Sequence, residues 1–420
     1  MNLIKFLKKN YIKLLLLLPI IIIYIYVIAI ENIPTVVTLF EGENFKINTL
    51  WGVNIHQAEN KNDAILTSSI LKDSAEFSEK GKTQLTVSLF NLFDVKEIEV
   101  NVVENISVIP VGGIAGIKLY TSGVLVVGMS EIEGKDSLKH KPYQNTGIEE
   151  GDIITAINDV EISNTEELVE NVDKSNGKEL KLKFIKDGET KECSILPVEA
   201  QDGKYKLGLW VRDSAAGIGT ITLYEPTTNS FIALGHGITD IDTNELIQIS
   251  TGELVTTKVI SIIKGQNGEP GKIQGTIDRQ QNIGTIYKNT NFGIYGTVKN
   301  KSNLQISSNK KMEVALRDEI TTGKASILCS VDETEKIKEY EIEIKKIYKN
   351  NNFDNKSMLI TVTDKELLEK TGGIIQGMSG SPIIQNGKFI GAVTHVLVND
   401  STSGYAVFGD ILIKQLKNVQ

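Results

Sequence analysis

The residues best suited to chemistry lie in the segment Gly377-Met378-Ser379-Gly380-Ser381-Pro382. Glycines on both sides of a serine allow the backbone to turn tightly around it. The backbone N–H groups of Gly377 and Ser379 can then point at one spot and hold an oxyanion. The spacing therefore predicts acyl transfer with Ser379 as the nucleophile. A plain turn before a strand that starts at Pro382 is the structural alternative.

A serine hydroxyl needs a neighbouring base to react at neutral pH, and the chain has four histidines. His236 stands between Gly235 and Gly237 at the end of an apolar stretch, so its ring meets little side-chain crowding. His395 follows the nucleophile on the next predicted strand, where it suits the wall of a substrate pocket better than the role of base. We therefore predict His236 as the general base.

The group that would orient this histidine is open. Asp364 directly precedes the helical segment KELLEK, so it could cap that helix or act as the acid of a triad. Asp240 and Asp242 are alternatives because they lie near His236 in sequence. No Cys, His, Asp or Glu spacing typical of a metal site is visible, and Cys193 and Cys329 lie far apart. We therefore expect no metal and no cofactor.

The elements that must position these residues are mostly strands. From about residue 205 the chain alternates β-branched apolar runs with glycine turns, and no long helical pattern appears before Thr363. This predicts a barrel or sandwich for residues 201–420. Residues 34–107 also show short alternating strands, which predict a small β-sandwich.

Between these regions, GIEEGDIITAINDVEI is followed by a capped helix, EELVENVDKS, and two strands around Asp187-Gly188. This order resembles a PDZ domain of the bacterial protease kind, over about residues 108–198. PDZ domains bind extended peptides by adding a strand to a sheet edge. The predicted edge strand runs near Gly123–Gly128, so the expected peptide contacts are Gly123, Val124, Leu125 and Val126. A spacer or internal clamp is the alternative.

The N-terminus carries an unbroken uncharged run, Leu14–Ile30, with four lysines before it. Such a run spans roughly 26 Å as a helix, close to the hydrocarbon thickness of a bilayer. The lysines predict a cytoplasmic N-terminus and an exported remainder. We therefore predict a signal anchor, with a cleaved signal peptide as the alternative. The net charge of −8 argues against nucleic acid as a partner.

The nucleophile loop resembles that of chymotrypsin-like serine proteases. More closely, ALGHGITD, the segment VTDKELLEKTGGIIQGMSGSPIIQNGKFIGAVTHVLVNDSTSGYAVFGD and the anchor–PDZ–protease order resemble the sporulation stage IV B (SpoIVB) peptidases. In that family the residues matching His236, Asp364 and Ser379 form the catalytic set. The resemblance implies a mainly β chain with a chymotrypsin-like double β-barrel, in four parts: 1–31, anchor; 32–107, small β domain; 108–200, PDZ; 201–420, protease.

The resemblance also implies a role. Members of this family are serine endopeptidases of the forespore membrane, exported into the space between the two spore membranes. They cleave themselves, and they cut a membrane-bound regulator that restrains an intramembrane metalloprotease, which permits sigma factor processing. A quality-control protease is disfavoured, because there the PDZ domain follows the protease domain. A non-catalytic PDZ adaptor with a protease-like scaffold is the remaining alternative.

Overall fold

The computed structural model describes the placement of residues 2–40, 44–46, 50–57, 74–76, 81–103, 107–306, 310–334, 336–349 and 355–417. The chain divides into two compact units. The first comprises Met1–Ile106, Leu316–Glu319 and Tyr348–Asn352, and the second comprises Ser107–Ala315, Ile320–Ile347 and Phe353–Gln420. The mainly β architecture predicted from the sequence is confirmed.

The first unit begins with helix α1 (Asn2–Glu31), which contains the predicted anchor segment. No helix in the described part of the chain combines the length and the apolar composition that a membrane span requires. The predicted anchor is therefore not confirmed.

The strands of the first unit form two separate sheets: β1 (Val36–Phe40), β2 (Asn44–Lys46), β3 (Val53–Gln57), β4 (Ser74–Glu76), β5 (Gly81–Leu89) and β6 (Phe93–Val103). Four of them pair in the order β1-β6-β5-β3, and β2 pairs with β4. The described residues thus form one four-stranded sheet and a two-stranded pair, which differs from the predicted sandwich of two facing sheets. Alternate residues such as Leu85, Val87, Ile98 and Val100 build its core.

The second unit begins with β7 (Ser107–Pro110) and β8 (Ile114–Met129) and continues through a PDZ-like part. The elements of that part are β9 (Ile132–Glu133), β10 (Lys139–His140), β11 (Ile153–Ile157), β12 (Val160–Glu161), α2 (Thr165–Lys174), β13 (Leu180–Lys186), β14 (Glu189–Ile195), β15 (Val198–Glu199) and β16 (Tyr205–Lys206). Asn164 caps α2 by accepting the Glu167 N–H at 2.9 Å, and Leu168 and Val172 face the core.

A first ring of six strands follows. It uses β8 together with β17 (Leu209–Glu225), β18 (Ser230–Ala233), β19 (Ile249–Ile263), β20 (Lys272–Thr290) and β21 (Gly293–Val298). The order β8-β19-β20-β21-β18-β17 closes because β17 also pairs with β8. Strands β8 and β17 therefore belong to both the PDZ-like part and the ring.

A second ring is a closed six-stranded barrel with the order β23-β24-β25-β28-β27-β26. After β22 (Met312–Glu313), its elements are β23 (Gly323–Cys329), β24 (Lys338–Ile347), β25 (Met358–Val362), α3 (Lys365–Thr371), β26 (Pro382–Gln385), β27 (Lys388–Leu397) and β28 (Asp400–Phe408), followed by α4 (Gly409–Lys417). The loop that carries Ser379 connects α3 to β26, and the segment that carries His236 follows β18.

Candidate active site

Ser379 lies in a tight loop between α3 and β26. The loop turns at Gly377 (φ 104°) and Gly380 (φ 97°), in the region of backbone space that favours glycine. The Ser379 Oγ is shielded from solvent and has no hydrogen-bond partner among the described residues. A buried polar atom without a partner is costly, so its presence in this loop calls for an explanation.

The backbone N–H groups of this loop alternate between bonded and unbonded. Those of Met378, Gly380 and Ser381 donate to backbone carbonyls at 3.0, 2.8 and 3.0 Å. In the described chain, the N–H groups of Gly377 and Ser379 donate no hydrogen bond. These are the two donors that the sequence predicts for an oxyanion hole, and the loop leaves both of them available.

His236 is half-buried, and its Nδ1 lies 2.7 Å from the carbonyl oxygen of Gly237. A carbonyl oxygen only accepts, so Nδ1 carries the proton and Nε2 keeps a lone pair. Desolvation lowers the pKa of the His236 imidazole, and the hydrogen bond to Gly237 offsets part of that shift. The ring is therefore neutral at neutral pH, as a general base must be.

His236, Gly377 and Ser379 line one pocket of about 420 Å³. His395 also lines it, and its ring centroid lies 5.0 Å from that of His236, with the ring planes 33° apart. Among the described residues, no Asp, Glu, Lys or Arg side chain lines this pocket, whose walls are mostly aliphatic. The structure thus brings together the predicted nucleophile, base and oxyanion donors, and it places His395 on the pocket wall.

Asp364 is not part of this group. It caps α3, where its Oδ1 accepts the N–H of Leu367 at 3.1 Å, and its Oδ2 lies 3.4 Å from the N–H of Glu341. In the structure Asp364 is a helix cap, and its role as the triad acid stays a prediction. The physical reason is local: a carboxylate before the first turn is held by the unpaired N–H groups of its own helix. The carbonyl of Gly237 occupies the orienting position at His236.

The alternative acids also have other partners. Arg212 forms ion pairs with both Asp240 and Asp242, the latter at 2.8 Å. Asp240 is fully buried and also accepts the N–H groups of Asp242 and Thr243 at 2.9 and 3.1 Å. These hydrogen bonds and Arg212 outweigh burial and hold the pKa of Asp240 below its usual value. This cluster stabilises the loop that follows His236.

The predicted peptide-binding edge at Gly123–Val126 is wrong, because that stretch of β8 is internal to the sheet. On one side, Val124 and Leu125 pair with Ile154 and Ile153 of β11. On the other side, Leu125 and Val126 pair with Arg212 and Val211 of β17. A strand with partners on both sides offers no edge to a peptide. Sequence reasoning missed this because β17 lies outside the segment that resembles a PDZ domain.

The open groove lies on the far side of β17. A pocket of about 570 Å³ separates Leu209–Val211 from the Leu168 and Val172 face of α2. At its end, within the described chain, the N–H groups of Leu207 and Gly208 donate no hydrogen bond, and Gly208 has φ 75°. Adjacent free N–H groups at such a turn form an anion-binding nest. A signal was present in the sequence, since Leu207-Gly208-Leu209 places a glycine turn before an apolar strand.

Comparisons with known proteins agree with this arrangement. A family profile described as SpoIVB peptidase S55 matches residues 203–413, and a PDZ domain profile matches residues 123–196. A Lactococcus lactis protein named zinc metalloprotease LL2128 is 29% identical over 103 residues, which are 24% of this chain and 22% of that protein. The chain therefore spans about a fifth of that relative's length.

Two solved structures match parts of the chain at low similarity. The active form of the Rv3671c protease from M. tuberculosis matches 48% of this chain and 74% of its own, at 14% identity and a TM-score of 0.28. The PDZ domain of the SdrC-like protein Lmo2051 from Listeria monocytogenes matches 21% of this chain and 87% of its own, at 16% identity and a TM-score of 0.18.

Proposed function

Because the chain belongs to the SpoIVB peptidase S55 family, we propose that it is a serine endopeptidase with Ser379 as nucleophile and His236 as general base. The observation that carries this proposal is the pairing of a shielded, unpartnered Ser379 hydroxyl with two free N–H groups in its own loop. A neutral histidine lines the same pocket. A non-catalytic scaffold does not require two free N–H groups beside a serine hydroxyl and a neutral histidine in one pocket.

The mechanism follows from this geometry. His236 Nε2 takes the proton as Ser379 Oγ attacks a peptide carbonyl, and the Gly377 and Ser379 N–H groups stabilise the oxyanion. His236 then protonates the leaving amine, and water hydrolyses the acyl-enzyme with the same base. The Gly237 carbonyl holds the Nδ1 proton throughout and so keeps Nε2 directed at the reaction. The aliphatic pocket favours an uncharged substrate side chain beside the scissile bond.

The test compares the full-length protein with Ser379→Ala, using Ser381→Ala as the matched control. Ser381 lies in the same loop, and its hydroxyl is also buried without a hydrogen-bond partner among the described residues. We expect a fluorophosphonate probe to label the parent and Ser381→Ala, and not Ser379→Ala. Equal labelling of Ser379→Ala, or no labelling of the parent, would contradict the proposed nucleophile and favour a non-catalytic adaptor.

The wider role is proposed on the family resemblance. The protein would be exported and anchored by residues 14–30 in the forespore membrane. It would cleave itself and would cut a membrane-bound regulator of an intramembrane metalloprotease during sporulation. Intact-mass measurements over time test self-cleavage: the parent should lose an N-terminal fragment while Ser379→Ala stays whole. A parent that stays whole although the probe labels it would remove self-cleavage from the proposal.

The PDZ groove completes the proposal. We propose that an extended segment of the substrate adds to β17 at Leu209–Val211, with its terminal carboxylate on the Leu207 and Gly208 N–H groups. Val169, half exposed on α2 at the groove, is the residue to change. Val169→Glu should weaken binding of a peptide with a free C-terminal valine by about tenfold, whereas Val160→Glu on exposed β12 should not. Equal affinity for the amidated peptide would contradict carboxylate capture.

A further inference from the structure

Thr220 of β17 connects the two halves of the catalytic site. It is 1% exposed, and all three of its polar groups are engaged. Its backbone N–H donates to the Ser379 carbonyl at 3.0 Å, and its carbonyl accepts the N–H of Leu234, two residues before His236, at 3.1 Å. Its hydroxyl Oγ1 donates to the carbonyl of Gly377 at 2.7 Å. One buried residue therefore holds both the nucleophile loop and the segment that leads to the base.

The positions of these bonds along the loop are informative. A peptide unit is planar, so fixing a carbonyl fixes the N–H of the following residue. Thr220 donates hydrogen bonds to the carbonyl oxygens of Gly377 and Ser379. It therefore also fixes the two peptide planes to which these carbonyls belong, and those planes contain the N–H groups of Met378 and Gly380. Those two N–H groups donate to the carbonyl oxygens of Ile375 and Val393. The one plane between them carries the free N–H group of Ser379, and the plane directly before them carries the free N–H group of Gly377.

The loop needs this restraint because glycine leaves it mobile. Gly377 and Gly380 adopt positive φ and tolerate other conformations at little cost. Rotation of the peptide between Gly377 and Met378 would turn the neighbouring N–H away from the developing oxyanion. The hydroxyl of Thr220 donates a hydrogen bond to the Gly377 carbonyl and so restrains this peptide from the side chain of a buried strand residue.

We propose that Thr220 is a positioning residue whose hydroxyl sets the oxyanion hole. This inference rests on the proposed peptidase function. It predicts that losing the hydroxyl lowers turnover rather than substrate binding, because the oxyanion exists only on the path through the transition state. Removing an oxyanion donor outright costs about 10²- to 10³-fold in kcat. Misorienting one should cost less, roughly 10- to 100-fold.

The experiment uses the full-length protein and three variants. Thr220→Val removes the hydroxyl at nearly constant volume, and Thr220→Ser keeps it. The matched control is Thr222→Val, because Thr222 lies on the same strand, is fully buried, and donates its hydroxyl to the Leu234 carbonyl at 3.2 Å rather than to the loop. Hydrolysis of p-nitrophenyl acetate gives kcat and KM separately.

We expect Thr220→Val to lose roughly 10- to 100-fold in kcat with KM within about threefold of the parent. Thr220→Ser and Thr222→Val should stay within about threefold of the parent in kcat. Equal losses in Thr220→Val and Thr222→Val would mean that any buried threonine of this strand matters only for stability, and would overturn the proposal. So would a change confined to KM, or a serine variant as poor as the valine variant.

A second measurement does not depend on activity. Hydrogen exchange of the peptides that cover residues 373–381 reports opening of the loop. Thr220→Val should speed exchange of the bonded amides of Met378, Gly380 and Ser381 about fivefold, as loss of one hydrogen bond implies, and Thr222→Val should not. Unchanged exchange in Thr220→Val would refute the restraint. If the parent shows no Ser379-dependent turnover, the proposed function fails, and the exchange result still decides the role of Thr220.

Discussion

Substitution of Asp364 distinguishes two roles for this residue, the acid of a catalytic triad and the N-cap of a helix. As the acid of a triad, Asp364→Asn would lower kcat by about 10⁴-fold, because an amide holds the histidine in the wrong tautomer. As a helix cap, asparagine serves nearly as well as aspartate. The structure places Asp364 at the start of α3 with Leu367 and Glu341 as its partners. We therefore expect Asp364→Asn to keep kcat within about threefold of the parent.

The size of the effect of Asp364→Ala follows from the bonds it loses. Removing an N-cap side chain lowers the free energy of unfolding by about 1 kcal/mol. The 3.4 Å contact with the exposed Glu341 N–H adds little, because long hydrogen bonds are weak and water replaces the partner. For a unit of this size, about 1 kcal/mol lowers Tm by roughly 2 to 4 °C. Activity per folded molecule should be unchanged.

The assay measures fluorophosphonate labelling rates and ester turnover at a temperature where all variants are folded, with thermal unfolding recorded beside them. His236→Ala provides the expected scale for true loss of the base. A well-folded Asp364→Asn protein with kcat reduced more than about 10³-fold would refute our assignment. It would mean that Asp364 reaches His236 in a conformation different from the one described.

Three further predictions concern the site and its supports. The fluorophosphonate labelling rate should fall as the pH decreases through the pKa of His236, and burial places the midpoint of that pH profile below the usual 6.5. A midpoint at or above 6.5 would contradict a desolvated base. Gly380→Ala should abolish labelling and lower the free energy of unfolding by about 3 kcal/mol or more, because the new Cβ would lie 2.2 Å from a backbone oxygen. Gly387→Ala, with φ 77° and open space around it, should keep labelling and lower the free energy of unfolding by about 1 kcal/mol. Arg212→Met should lower the free energy of unfolding by about 3 kcal/mol by leaving Asp240 buried without its cation, and the loss should shrink in acid as Asp240 is protonated; urea unfolding at two pH values measures both.

Local sequence patterns determined the elements and the central chemistry. Period-two apolar runs predicted the strands because each strand must bury one face. The glycines around Ser379 predicted a tight loop with free N–H groups, since only glycine adopts its backbone angles at little cost. The glycines beside His236 pointed to an accessible ring. These inferences depend on short-range sterics, which a sequence displays directly.

Tertiary structure decided which partners the residues find. Asp364 had two possible partners, its own helix or a distant histidine, and both are compatible with the same local sequence. The edge of the PDZ-like sheet depended on β17, which follows that sheet in the chain and pairs with β8 only after the fold closes. Thr220 has no local signature at all, because its importance comes from contacts with Ser379 and Gly377, more than 150 residues away. Partner choice between segments far apart is set by packing of the whole chain, and no local pattern encodes it.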